Sequence, residues 1–135
     1  MLLKSHGFAE NPPTIRSPAD AAPLFGQHFA IGRREVLYAL HLDAEGRVLA
    51  IARQEGGHDR LPLVVAEIVR DACRLESRRL LLAHNHPSGD PRPSAADRIV
   101  TAQLSEMMRL LEIELIDHLI FARDGMTSFR GIGLL

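Results

Sequence analysis

The segment LLLAHNHPSGD, residues 80–90, sets the architecture that we expect for this chain of 135 residues. It opens with an apolar run, which is typical of a strand buried on both faces. Two histidines follow with one residue between them. Because side chains alternate along an extended chain, His84 and His86 point the same way and Asn85 points the opposite way. A proline and a glycine then end the strand. The sequence therefore predicts a buried strand that ends in two imidazoles aimed at one spot.

A carboxylate follows that can complete a metal site. Ser94 is predicted to cap a helix whose apolar residues recur at helical spacing, at Val100, Leu104, Met107, Met108 and Leu111. Asp97 shares this inward stripe, and a buried carboxylate needs a cation, hydrogen bonds or both. Two histidines and one carboxylate are a ligand set of catalytic zinc, with the fourth position left to water. We therefore predict a Zn²⁺ site formed by His84, His86 and Asp97.

Two other interpretations apply to the same residues. Ser94 and Asp97 fit a capping box, which needs no metal, and this role is compatible with a second role in metal binding. The letters His-Asn-His also suggest an HNH nuclease. In that motif the three residues are dispersed rather than adjacent, so the nuclease interpretation is disfavoured.

The spacing of these residues resembles a known signature. His84-x-His86-Pro87, followed by Ser94-x-x-Asp97, is similar to the JAMM motif of JAB/MPN-type zinc metalloproteases. The resemblance implies an α/β domain with the deaminase-like, three-layer fold, a mixed sheet with flanking helices. It also implies hydrolysis of peptide or isopeptide bonds.

Further residues resemble the RadC branch of that group. They are the run from His84 to Gly89 and the later pair Asp117-His118, and the resemblance covers roughly Ser17 to the C-terminus. RadC proteins are usually longer, with an N-terminal helix-hairpin-helix region, so we expect this chain to be the catalytic domain alone. Adjacent strand residues face opposite ways, so at most one of Asp117 and His118 can point at the metal. The default expectation is a structural hydrogen bond that supports the sheet or the metal loop.

Glu35 is the candidate general acid/base. Residues 34–42 alternate as a strand and 47–53 as its antiparallel partner after the turn at 43–46. From the residues alone, a charged side chain at a fraying strand start is the favoured interpretation of Glu35. The resemblance reverses this, because JAMM enzymes carry a catalytic glutamate on an early strand. Weaker candidates lie in a turn, a loop and a helix: Glu45, Glu55 and Glu67.

The remaining chain is predicted to form one domain over residues 14–135, after a flexible tail over 1–13. A short helix capped by Ser17 and an amphipathic helix from Leu61 to Ala72 precede the central strand. Strands over 113–122 and 126–129 follow the metal-loop helix, and the strand–helix–strand unit predicts a parallel crossover. Cys73 is expected to be a packing residue and His58 a solvated loop residue.

Composition limits the function classes. The formal net charge is −1, so no global electrostatic argument supports nucleic-acid binding. A single cysteine excludes an internal disulfide and fits a cytoplasmic location. The apolar runs are too short to cross a membrane.

The reaction expected from the resemblance is hydrolysis without a covalent intermediate. Glu35 takes the proton of a zinc-activated water, and the Ser94 hydroxyl donates to the developing oxyanion. The partner is then a peptide or protein substrate, and a homodimer is permitted. The alternatives are a DNA-repair-associated protein of RadC type that binds or acts on DNA, a metal-dependent nuclease, and an MPN scaffold that acts by protein contact. Such scaffolds generally lack the metal ligands.

Overall fold

Six strands form one mixed sheet in the computed structural model, which describes residues 2–4, 11–25, 29, 32–55 and 61–135. The strands are β1 (Leu2–Lys4), β2 (Val36–Leu42), β3 (Val48–Glu55), β4 (Arg79–Asn85), β5 (Glu114–Ala122) and β6 (Gly125–Ser128). Two α-helices, α1 (Leu61–Arg74) and α2 (Ala95–Leu110), and a 3₁₀-helix, η1 (Pro18–Leu24), complete the described elements. The strand order is β1-β3-β2-β4-β5-β6.

The pairing of the strands confirms the predicted topology. Strands β2 and β3 form the antiparallel hairpin, and β2 also pairs antiparallel with β4. Strand β4 pairs parallel with β5, which α2 connects to it, so the predicted strand–helix–strand crossover is present. The first hairpin strand begins at Val36 rather than at residue 34, because the backbone there is bound by the Asn85 side chain instead of a neighbouring strand.

Each face of the sheet has its own core. Both α-helices cover one face, where the buried residues include Ala39, Ile68, Leu80, Leu82, Leu104 and Met108. The segment that contains η1 covers the opposite face, where Ile15, Ala21 and Phe25 pack with Leu40, Leu81, Ala83 and Leu119. The apolar strand of the opening segment is therefore buried on both sides, and the predicted three-layer α/β architecture is confirmed.

Helix α2 starts at the predicted cap but buries a slightly different stripe. Its buried residues are Asp97, Val100, Thr101, Leu104 and Met108. Met107 and Leu111 are 39% and 41% exposed, so their predicted place in the core is wrong. A stripe with a period of 3.6 residues that passes through Asp97 and Leu104 continues to Met108 and includes Thr101 instead. On α1, Cys73 is exposed, so its expected role as a packing residue is wrong, because Ala72 rather than Cys73 lies on the buried stripe.

Strand β1 lies within the segment that the sequence predicted as a flexible tail. Its register with β3 places Leu3 opposite Ile51. Without β1, strand β3 would be an edge strand with unpaired backbone N–H and C=O groups. An extended segment can form hydrogen bonds with these groups, which explains why β1 pairs here. The division into a tail and a domain otherwise stays a prediction.

No helix in the described part of the chain has the length and apolarity needed to cross a bilayer.

Candidate metal centre

His84, in β4, and His86, directly after it, converge as their spacing predicts. The Nε2 atoms of His84 and His86 lie 2.8 Å apart. The sharp turn after β4 fixes the second ring, because His86 Nδ1 contacts the carbonyl oxygen of Asp90 at 2.8 Å. Gly89 makes this turn with a φ of +90°, a conformation that favours glycine.

Helix α2 brings the predicted carboxylate to these imidazoles. Asp97 Oδ1 lies 3.2 Å from His84 Nε2, and Asp97 Oδ2 lies 3.0 Å from His86 Nε2. The N-cap holds the carboxylate in place, since the Ser94 N–H donates to Asp97 Oδ2 at 2.7 Å and the Asp97 N–H donates to the Ser94 hydroxyl at 3.0 Å. Asp97 therefore takes part in the capping box and also faces the two imidazoles.

The hydrogen bonds of the rings indicate which nitrogen atoms carry protons. A carbonyl oxygen only accepts, so His86 donates to Asp90 through Nδ1–H, and Nε2 is the ring nitrogen that faces Asp97 and can bind a metal ion. Acceptor atoms that converge in this way repel one another unless a cation or a proton lies between them. The donor set of two imidazoles and a carboxylate, with other hydrogen bonds orienting each ring, fits Zn²⁺.

Glu35 stands beside this cluster, just before β2. Its Oε1 is 3.7 Å from His84 Nε2, and its side chain is 43% exposed. Ligand atoms of Glu35, His84, His86 and Asp97 all lie within 4.8 Å of one another. Glu35 thus directly precedes the first residue of β2, and its carboxylate also lies beside the candidate ligands. It is a partly exposed carboxylate at the mouth of the site.

Burial and neighbouring charges shift two pKa values in the site. Burial acts to raise the pKa of the Asp97 carboxyl, but the hydrogen bond and charge of His84 and the hydrogen bonds from Ser94 outweigh it and hold that pKa below its usual range. Complete burial, together with the neighbouring His84, holds the pKa of the His118 imidazole well below its usual range. The site therefore contains an ionised carboxylate and a neutral second-sphere histidine near neutral pH.

The Asp117-His118 pair has the structural role expected for it. The Asp117 carboxylate accepts hydrogen bonds from the N–H groups of His118 and Arg130, at 2.8 and 2.9 Å, and from the Ser128 hydroxyl. His118 faces the site, with Nε2 2.6 Å from His84 Nδ1. Asp117 thus joins β5 to the chain after β6, while His118 supports a predicted metal ligand.

Three residues that contact the site were not identified from the sequence. Thr101 contacts His118, Asp90 fixes His86, and Asn85 contacts the backbone beside Glu35. A local signal existed for Thr101, which is one helical turn after Asp97 and so lies on the same stripe. Asn85 and Asp90 act through contacts that depend on the fold.

The other carboxylates considered as general base lie elsewhere. Glu45 pairs with Arg47 in the β2–β3 turn, Glu55 pairs with Arg53 on β3, and Glu67 accepts a hydrogen bond from Gln54. His58 lies outside the described residues.

An open groove leads to the candidate site. It encloses about 610 Å³, and its lining includes Glu35, His86, Ser94 and Arg98. The Ser94 hydroxyl, which accepts from the Asp97 N–H, lies at the edge of this groove.

Comparison with known proteins identifies related sequences. A family model described as a RadC-like JAB domain matches residues 15–134. A UPF0758 protein of Roseiflexus castenholzii is 40% identical over 121 residues, which are 89% of this chain and 52% of that protein. One of Bordetella avium is 46% identical over 98 residues, 72% of this chain and 44% of that protein. One of Delftia acidovorans is 36% identical over 124 residues, 91% of this chain and 55% of that protein. The chain thus spans about half the length of the curated relatives it matches.

Proposed function

The chain belongs to the RadC-like JAB domain family, and from that premise we propose that it is a zinc-dependent hydrolase of peptide or isopeptide bonds. The observation that carries the proposal is the convergence of His84 Nε2, His86 Nε2 and the Asp97 carboxylate, with Glu35 beside them. His84, His86 and Asp97 would hold the ion. Bound Zn²⁺ supplies Lewis-acid chemistry, which lowers the pKa of a coordinated water and polarises a carbonyl group.

Glu35 is the proton carrier in this proposal. Its side chain is 43% exposed, so it can meet a substrate, and it is more exposed than the other three residues of the cluster. It takes a proton from the attacking water and returns it to the leaving amine, as a general base and then a general acid. A glutamine at this position keeps the size of the side chain and loses this ability.

Ser94 supplies the complementary charge stabilisation. Its oxygen accepts from the Asp97 N–H, and Ser94 lines the groove, where rotation of the hydroxyl can turn its hydrogen toward a bound substrate. Donation to the oxyanion as it forms lowers the barrier by about 3 kcal/mol in comparable donors. A peptide or protein segment is the substrate that an open groove of this kind accommodates.

The proposal is tested with the zinc-loaded protein and a complex mixture of peptides that includes lysine-linked isopeptides. New amino termini and released lysine side chains are read by mass spectrometry. We expect cleavage by the parent protein, loss of cleavage after chelation with recovery on adding zinc, and no cleavage by Glu35→Gln at unchanged zinc content. The matched control is Glu45→Gln, an exposed glutamate in the β2–β3 turn, which should cleave like the parent.

Two results would overturn the proposal. One is a protein that takes up no zinc. The other is a Glu35→Gln variant that cleaves as fast as the parent. Salt-sensitive binding of duplex DNA without any peptide cleavage would favour the DNA-associated alternative instead.

A further inference from the structure

A chain of three buried hydrogen bonds connects two of the candidate ligands through residues that do not contact the metal position. His84 Nδ1 lies 2.6 Å from His118 Nε2, and His118 Nδ1 lies 2.6 Å from Thr101 Oγ1. Thr101 Oγ1 lies 2.6 Å from the backbone carbonyl oxygen of Asp97. The path therefore starts on one ligand, crosses from β4 to β5 and α2, and ends on the backbone of another.

The last acceptor sets the direction of this chain. A carbonyl oxygen cannot donate, so Thr101 gives it the single hydroxyl proton. Thr101 must then accept from His118 Nδ1–H, which leaves His118 Nε2 as the acceptor for His84 Nδ1–H. With Nδ1 protonated and bonded to His118, Nε2 is the ring nitrogen through which His84 binds a metal ion, once it releases any proton shared with Asp97.

The middle of the chain is held rigidly. His118 and Thr101 are each 1% exposed, so water cannot replace either contact. The His118 ring stacks on Phe129 with a centroid distance of 4.6 Å and an interplanar angle of 16°. The Asp117 carboxylate fixes the backbone N–H of His118 at 2.8 Å. The imidazole therefore has one orientation, set by β5 and the residues after β6.

We propose that Thr101 and His118 are positioning residues that select the Nδ1-protonated tautomer of His84 and its ring orientation, and thereby set the metal affinity of the site. This inference rests on the metal site of the proposed function, though not on any activity. Thr101 is the better residue to change, since it touches no ligand side chain and valine has nearly its shape.

The test measures the dissociation constant of zinc by competition with a chromophoric chelator, using the full chain. We expect Thr101→Val to bind zinc about 10- to 100-fold more weakly than the parent, the usual effect of removing a group that orients a ligand. Thr101→Ser keeps the hydroxyl and should restore most of the affinity.

A matched control separates this effect from general destabilisation. Ser77 makes the same kind of contact, a buried hydroxyl 3.2 Å from His41 Nδ1. It lies near the opposite end of β4, since His41 pairs with Leu80. Ser77→Ala should change the unfolding free energy of the metal-free protein about as much as Thr101→Val does, while leaving the zinc affinity unchanged.

Long-range ¹H–¹⁵N spectra of the histidine side chains give a second readout. In the zinc-bound parent we expect Nδ1-protonated forms of both His84 and His118, and in zinc-bound Thr101→Val a loss of the single tautomer of His118. Unchanged zinc affinity in Thr101→Val, or a parent His118 protonated on Nε2, would overturn the inference. If the parent binds no zinc, both this inference and the proposed function are wrong. If the parent binds zinc but cleaves nothing, only the proposed function fails.

Discussion

Asn85 holds Glu35 in place from both sides. Its side-chain Oδ1 accepts from the N–H of Val36 at 2.7 Å, and its Nδ2 donates to the carbonyl oxygen of Arg34 at 2.8 Å. Asn85 stands between the two histidines in the sequence and points away from them. At the end of β4, His84 and His86 thus contribute to the candidate metal site, while Asn85 positions the backbone on both sides of Glu35, the candidate general base.

Replacement of Asn85 by alanine should separate the candidate base from the candidate ligands. Both hydrogen bonds are lost and the Val36 N–H becomes unsatisfied, so we expect the unfolding free energy to fall by about 1–3 kcal/mol. Zinc affinity should stay within about twofold of the parent, while hydrolysis falls. Denaturant titration and chelator competition measure the first two quantities. An unchanged unfolding free energy would show that the two contacts contribute nothing net.

Removal of any one predicted ligand should abolish zinc binding. We expect about one zinc per chain in the parent by elemental analysis and close to none in His84→Ala or Asp97→Ala, because two remaining ligands hold the ion too weakly. Asp124→Ala removes a carboxylate that is exposed and pairs with Arg123, so it is the control. Full zinc content in Asp97→Ala would refute the assigned ligand set.

Zinc should stabilise the folded chain. A ligand that binds only the native state adds about 2.7 kcal/mol to the unfolding free energy when its free concentration is 100 times the dissociation constant. We expect the melting temperature of the parent to rise with free zinc and to fall after chelation, measured by calorimetry. His86→Ala should show neither change. A parent whose melting temperature ignores zinc would contradict the site.

His41 should make the stability of the fold depend on pH. It is fully buried on β2, and its Nε2 has no hydrogen-bond partner among the described residues. Burial lowers the pKa of its imidazole from 6.5 to about 4, although Asp71 acts in the opposite direction. Between these two pH values the unfolded chain binds a proton that the native chain does not. The contribution of His41 to the unfolding free energy is therefore fully present above pH 6.5 and falls by about 3 kcal/mol as the pH drops to 4.

Denaturant titrations at a series of pH values check this prediction. Other ionisable groups also contribute to this slope, so the quantity of interest is the difference between the parent and His41→Asn, in which the amide can still contact Ser77. We expect the slope of unfolding free energy against pH in this range to be smaller in the variant. Equal slopes would mean that the pKa of His41 is the same in the native and unfolded chains, which contradicts the prediction.

The local pattern of residues was sufficient for the elements that carry the candidate ligands. An apolar run followed by a turn predicts β4, and Ser94 with the spacing of Asp97, Val100 and Leu104 predicts α2 and its capped start. These features depend on residues within one or two turns of each other. The alternation of a strand also puts His84 and His86 on one side wherever that strand lies in the sheet.

The surroundings of those ligands depend on contacts between distant parts of the chain. Glu35 reaches the site because β2 pairs with β4, which places Leu37 opposite His84. His118 reaches it because β5 pairs with the other side of β4. Periodicity does not specify the partner or register of a strand, since these follow from packing both faces of the sheet at once. The local sequence therefore determined which side chains could bind one cation. The tertiary fold decided which residues orient those ligands and which carboxylate lies beside them, because both depend on the pairing of strands that are distant in the sequence.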